Sequence, residues 1–303
     1  MSLKFERDKE VITNIYDIAK ELNGEMIFKL TEYNDKHAAV HETRKAIKKI
    51  RALLRLIRFE AGEICYAQEN ILYRDVGRLM SDLRDATALL ETIDKLIEST
   101  ENKQLVEQLK LVKQTLDDRR KSFAKENPSP KEIIEKAVIE FKRAAKRITT
   151  WPLESTNFND WAYGLAKTYK QGNKAFHKAF ETNDAHDFHE WRKAVKYLWN
   201  QILFLEDTWP LMQQNFANEL SNLSSFLGDE HDLFVLKESF DSNYIEMKMP
   251  EVLQSFLDKK TMYLREEAYW LGLKIYAESK SSFFQKNMAY WSAFKGIKQI
   301  KTA

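Results

Sequence analysis

The chain has 303 residues, enough for one or two substantial cores, and its 44% hydrophobic and 31% charged content with 8 Gly and 5 Pro is the profile of a mainly helical protein. A net charge of +2 excludes a globally basic surface, so any role in binding polyanions requires the cations to be gathered on one face. The single Cys65, the charged Met1–Asp8 and the absence of any run of about 18 apolar residues exclude an internal disulfide and argue against a secretory leader or a membrane span, and so point to the cytoplasm.

From the N-terminus, residues 1–33 read as one or two helices, with Val11, Ile15, Ile18 and Leu22 at helical spacing and a break near Asn23-Gly24. Asn34-Asp35 supplies a cap for the next helix. From His41 to Arg58 that helix contains no Gly, Pro, Asn or Ser. On a helical wheel His41, Arg44, Lys48, Arg51, Arg55 and Arg58 fall within about 100° of each other, and Ile47, Ile50, Leu54 and Ile57 form a core-facing stripe roughly 100° away. Seven Lys or Arg stand in this stretch against one acidic residue, Glu42. An ordinary solvated helix mixes signs, because like charges one turn apart cost a few tenths of a kcal/mol. The row therefore needs an anion from outside its own helix, either carboxylates elsewhere in the chain or a ligand.

A turn at 61–64, with Gly62, leads into a helix from about Glu63 to Ser81 that carries Arg74 and Arg78. Asp82-Leu83-Arg84-Asp85 marks a junction into a helix ending near Glu98, and residues 101–126 form another. Asn127-Pro128-Ser129-Pro130-Lys131-Glu132 is a strong boundary, with Ser129 as N-cap, Pro130 at the first helical position and Glu132 completing a capping box. The helix 131–148 carries Lys142, Arg143, Lys146 and Arg147, a second cationic cluster that reads equally well as a solvated face. The segment from Thr149 to Asn159 is a linker, which divides the chain into 1–150 and 151–303. Helices follow at 160–181, with Tyr169, Lys170 and Lys174, at 185–207 after an Asn183-Asp184 cap, and at 211–227, 230–241, 250–280 and 280–298. No strand alternation and no Gly-rich phosphate loop occurs, so the fold class is all-α and neither a P-loop nor a dinucleotide fold is expected.

The basic stripe has a second copy. His189-Glu190-Trp191-Arg192-Lys193-Ala194-Val195-Lys196 repeats His41-Glu42-Thr43-Arg44-Lys45-Ala46-Ile47-Lys48 with six of eight residues identical, 148 positions on. Leu79 to Ala86 aligns in the same way with Phe226 to Leu233, at a spacing of 147. The copies differ beyond this point. Where the first has Arg51, Arg55 and Arg58, the second has Trp199, Leu203 and Glu206, and His231 stands where the first copy has Arg84.

The doubled His-x-x-Arg-Lys-x-x-Lys, each followed by a Leu-Gly-x-x-Arg-Asp-like segment, resembles the CHAD domain family over essentially the whole chain. The resemblance implies two pseudo-symmetric antiparallel helical bundles of a duplicated unit around a basic cavity. It implies inorganic polyphosphate as ligand, bound without known chemistry, and Tyr169-Lys170 to Lys174 is similar to the basic stretch that precedes the histidine helix in the family. Family members often carry a triphosphate-processing domain, for which these residues leave no room. Under this reading the binding residues are His41, Arg44, Lys45, Lys48, Arg51, Arg55, Arg74, Arg78, Arg84, Arg143, Lys146, Lys170, Lys174, His189, Arg192, Lys193 and Lys196. No cofactor, metal or catalytic residue is expected, and a cytoplasmic location extends to polyphosphate granules.

The residue types suit such a ligand. Arg offers a planar fork for paired oxygens and Lys a mobile point charge, and residues one helical turn apart repeat about every 5–6 Å, a pitch that tracks successive phosphates without reading bases. His41 and His189 open the two stripes and become donors if protonated beside phosphate; the bland alternative is a hydrogen bond to a neighbouring helix. His186 and His189, at i,i+3, form a weak metal pattern that the first copy does not share. Asp85 and Asp232 recur in both copies as orienting partners of the basic residues or, more simply, as helix caps. A nucleic-acid backbone is the alternative ligand, although the stripe has no interleaved aromatics. Polyphosphate processing is a weaker alternative, because the stripes carry no carboxylates at metal-ligand spacing.

Overall fold

The computed structural model describes residues 3–123 and 130–296, and their side chains apart from those of 82–87, 120–123 and 130. The described residues form eleven α-helices and no strand. They are α1 (Val11–Glu32), α2 (Lys36–Leu56), α3 (Arg58–Leu79), α4 (Asp82–Glu98), α5 (Lys103–Phe123), α6 (Pro130–Ile148), α7 (Phe158–Thr182), α8 (Ala185–Phe204), α9 (Pro210–Asp241), α10 (Glu251–Ile275) and α11 (Lys280–Lys295), with a 3₁₀ turn at Glu206–Thr208.

Local chemistry sets most of the boundaries. Asp35 caps α2 by accepting from the amides of His37 and Ala38 at 2.9 and 3.1 Å, and Asp184 caps α8 by accepting from that of His186 at 2.8 Å. Gly62, at φ +73°, bends the first turn of α3, which is the turn expected at 61–64. The expected capping box falls partly on Ser129, outside the described residues, and α6 begins at Pro130.

Two expected breaks do not occur. α1 runs unbroken through Asn23-Gly24, because Asn23 is a buried bridge: its amide donates to Phe141 O at 2.9 Å and its carbonyl accepts from Tyr73 Oη at 2.9 Å. α9 is likewise continuous through Gly228-Asp229. Gly228 is helical there and lets the Arg192 guanidinium lie against the helix, with Nη2 3.5 Å from the Cβ position.

α1 packs on α2 and α6, α2 on α3, and α4 on α5. In the same way α7 packs on α8 and α11, α8 on α9, and α9 on α10. Further contacts join α2 to α7 and α8, α3 to α7, α4 to α9, and α5 to α10. The larger core takes in α1, α2, α3 and α6 with α7, α8, α11 and the first half of α9, and includes the fully buried Trp161 and Trp191. A smaller core joins α4 and α5 to the end of α9 and the start of α10 through Leu89, Ile93, Leu109, Leu236 and Leu257. Both cores therefore draw on residues from either side of position 150.

α2 holds the central place because its apolar stripe is spent against both neighbours. Ile47, Ile50, Leu54 and Ile57 are buried as the wheel requires. Gln201 on α8 donates to Ala52 O at 3.0 Å in the crossing of the two helices. At the far end of α2 the backbone of α7 comes so close that a Cβ on Gly164 would lie 2.0 Å from Leu56 O. These contacts fix α2 beside α8, and with them the two basic stripes.

Candidate functional site

The stripes meet. Lys48 on α2 lies within electrostatic reach of Arg192 on α8, of Arg44 one turn away and of Asp232 on α9. Burial and the neighbouring guanidiniums pull the Lys48 ammonium down to about 8. Arg192 is also pushed below its ordinary range by burial, against the opposing pull of Asp232, Asp229 and Glu230. Neither Lys48 nor Arg192 makes a hydrogen bond or ion pair among the described residues, and the buried Nε of Arg192 is without an acceptor there.

Two imidazoles complete this centre. The rings of His189 and His231 lie 4.1 Å apart between centroids, and each has a buried Nδ1 with no partner among the described residues. Burial, then Lys193 and Arg192, push His189 down to about 4. Burial, then His189 and Arg192, push His231 to about 3. Both rings are therefore neutral near pH 7 in the structure as it stands, and each keeps ring nitrogens for a ligand. His41 differs from its counterpart. It is more than a third exposed, with Nε2 3.8 Å from Glu42 Oε1.

Acidic residues border the centre, and most are engaged. Glu230 is held by Arg265, which donates to it through Nε and Nη2 at 2.9 and 2.6 Å. Asp229 lies 3.6 Å from Lys95 of α4. Asp232 sits mid-helix, so capping is not its role; its carboxyl is raised by burial within reach of Arg192, Lys95 and Lys196. The matching Asp85 and Arg84 have side chains outside the described residues.

Away from the centre the α2 row continues as a second group. Arg51 Nε and Arg55 Nη1 both donate to Asn70 Oδ1 of α3, at 3.1 and 3.2 Å. Both guanidiniums lie over the ring of Tyr197 from α8, Arg55 at 3.6 Å and Arg51 at 5.7 Å from its centroid. Burial lowers Arg51, and Arg55 and Arg74 press in the same direction. The lower end is anchored by Arg44, whose Nη1 donates to Gly77 O at 2.9 Å and Ser81 Oγ at 2.7 Å. Tyr197 and Asn70 were not legible as site residues, because each acts on the arginines from another helix.

Other expected members stand apart. Lys45 and Lys193 are each tied to the glutamate three residues earlier on the same helix, Glu42 at 2.8 Å and Glu190. The sequence showed both acids, and the i,i+3 pairing neutralises cations that the stripe alone left open. Arg74 is paired with Asp75 at 2.7 Å, and Arg78 lies 3.9 Å from the same carboxylate. Arg58 is closed off by Glu63 at 2.7 Å. Arg143 pairs with Glu140, and Lys146 is exposed, on a helix that packs against α1 and α3. Lys170 and Lys174 are exposed on α7. His186 sits 3.8 Å from Glu190, while His189 turns to His231. Among the described residues no three His, Cys, Asp or Glu are arranged to hold a metal ion. The Cys65 thiol is pushed up by burial and by Glu69, the reverse of an activated nucleophile.

The doubled His-x-x-Arg-Lys-x-x-Lys and the helices that carry it fall inside a family match: the CHAD domain covers residues 29–241. The chain belongs to the CHAD domain family. The comparison with curated proteins returns no match. The CHAD match runs from the end of α1 to the end of α9, so it contains both stripes, the imidazole pair and Asp232. No helix among the described residues is long and apolar enough to cross a membrane.

Proposed function

We propose that this CHAD protein binds inorganic polyphosphate without transforming it, in a basic centre shared by α2 and α8. The observation that carries the reading is a pair of cations, Lys48 and Arg192, gathered from two distant repeats and left without a protein acceptor among the described residues. A partly buried cation without a partner is costly, and a polyanion supplies the missing acceptors. The Nδ1 atoms of His189 and His231 add two further positions in the same place. Arg51 and Arg55, steered by Asn70 and Tyr197, extend the surface along α2. Arg44 and Lys196 add their charge to the same place, and Lys45, Lys193, Arg74 and Arg78, each beside a carboxylate, contribute through the field.

The domain reading goes with this. The contacts of α1 with α2 and α6 parallel those of α7 with α8 and α11, and α9 takes the combined place of α3 and α4, which supports two copies of one unit divided near residue 150. In this reading the copies share their cores and enclose the basic centre between them. Of the carboxylates bordering the centre, Asp229 and Glu230 are engaged by Lys95 and Arg265, which leaves Asp232 without a second acid to share a metal ion and favours binding over metal-assisted hydrolysis. A cytoplasmic location at polyphosphate granules accords with such a ligand.

Titration of the protein with long-chain polyphosphate and with single-stranded RNA of matched charge, at two salt concentrations, tests the proposal. Polyphosphate should bind more tightly, with an affinity that falls steeply with salt. Equal or tighter binding of RNA would transfer the centre to nucleic acid, where stacking on Tyr197 is blocked by Arg55.

A further inference from the structure

Asp232 is an odd occupant of a cationic centre. It lies one turn beyond Gly228 on the same face of α9, and Gly228 is where the Arg192 guanidinium rests. Cations approach it from three other helices: Lys48 from α2, Arg192 and Lys196 from α8, and Lys95 from α4. On its own helix its charged or titratable neighbours are Asp229 and His231. With four cations in reach, Asp232 still makes no hydrogen bond or ion pair among the described residues. Its neighbours on α9 behave otherwise, since Glu230 takes two bonds from Arg265 and Asp229 pairs with Lys95.

A carboxylate placed this way is a counter-ion to the whole centre rather than a clamp on one side chain. It lowers the mutual repulsion of Lys48 and Arg192 when no ligand is present. It also repels whatever anion enters. The two effects weigh differently on different ligands. A small anion carries few charges, and one fixed carboxylate cancels much of what it gains from Lys48 and Arg192. A chain of phosphates gains from Arg51, Arg55 and Arg44 as well, so the same repulsion is a small part of its total.

We propose that Asp232 is a specificity-determining residue that keeps single phosphate-sized anions out of the basic centre while admitting a polyphosphate chain. This rests on the polyphosphate reading of the site. The neutral imidazoles of His189 and His231 work in the same direction, because they offer directional contacts without adding to the attraction for any small anion that diffuses past.

The test compares wild type, Asp232→Asn and Glu238→Gln. Glu238 is an exposed carboxylate further along α9, and its loss changes the net charge equally. Each protein is titrated with inorganic orthophosphate and with long-chain polyphosphate, and helix content is checked by circular dichroism. Asp232→Asn should bind orthophosphate at least tenfold more tightly than wild type, with a smaller gain for polyphosphate, and Glu238→Gln should change neither. If Asp232→Asn does not fold, Asp232→Ser replaces it, with the same expectations. Orthophosphate binding that rises no further than in Glu238→Gln would overturn the proposal. So would weaker polyphosphate binding by the Asp232 variant, since Asp232 would then position Arg192. Failure of the wild type to bind polyphosphate would instead sink the functional reading beneath it.

Discussion

The most quantitative consequence concerns Lys48 and pH. Its ammonium titrates at about 8 in the free protein, because burial and the adjacent guanidiniums disfavour the charge. A bound polyanion reverses that and raises the value. The ligand therefore binds the protonated form, and affinity is full below the free value and lost as pH rises through it. About nine-tenths of Lys48 is charged at pH 7 and about one-tenth at pH 9, so the dissociation constant should rise roughly tenfold, or about 1.4 kcal/mol, across that interval. Fluorescence or calorimetric titration with long-chain polyphosphate at fixed ionic strength measures it. Lys48→Arg is the control, because guanidinium stays charged throughout. The wild type should show the slope and Lys48→Arg should bind with the same affinity at both pH values. A flat wild-type profile, or an identical slope in Lys48→Arg, would refute the assignment of a shared, partly buried charge centre.

Three further outcomes follow from the packing. His189 and His231 bind protons less readily folded than unfolded, so stability is fully present above about pH 6.5 and should be lost as pH falls toward 4, read as a falling Tm that flattens in His189→Gln. Gly164→Ala would place a methyl group 2.0 Å from Leu56 O and should cost about 3 kcal/mol in chemical denaturation, because the obstruction is backbone and cannot rotate away. Glu69→Gln breaks a pair in which Arg147 Nε lies 2.6 Å from a carboxylate that is 2% exposed; it should destabilise the fold by about 3 kcal/mol while leaving polyphosphate affinity unchanged.

What the sequence made legible was local and periodic. The apolar stripe of α2, the Asp35 and Asp184 caps and the junction before Asp82 all follow from neighbours within one turn or one capping motif. The errors arose where a distant partner overrides a local preference. Asn23 reads as a helix breaker until Tyr73 and Phe141 engage its amide, and Gly228 reads as a boundary until Arg192 is seen lying against it. The site followed the same division. The duplicated stripe named Lys48 and Arg192, but nothing in either stripe points to Asn70 or Tyr197, which steer Arg51 and Arg55 from two other helices. Lys45 and Lys193 carry the charge the stripe calls for, but Glu42 and Glu190, each three residues earlier on its helix, take it up.

Polyphosphate affinity in Lys48→Ala and Arg192→Ala, each alone and together, bears most directly on the idea that α2 and α8 build one anion site. Each single variant should weaken binding about tenfold, and the pair should couple, because both charges meet the same stretch of ligand. Their Tm values should hold or rise, since each removes a partly buried cation with no protein acceptor among the described residues. Lys146→Ala, on the exposed face of α6, should change binding less than about twofold. Wild-type affinity in both single variants, or losses no greater than that of Lys146→Ala, would contradict the account.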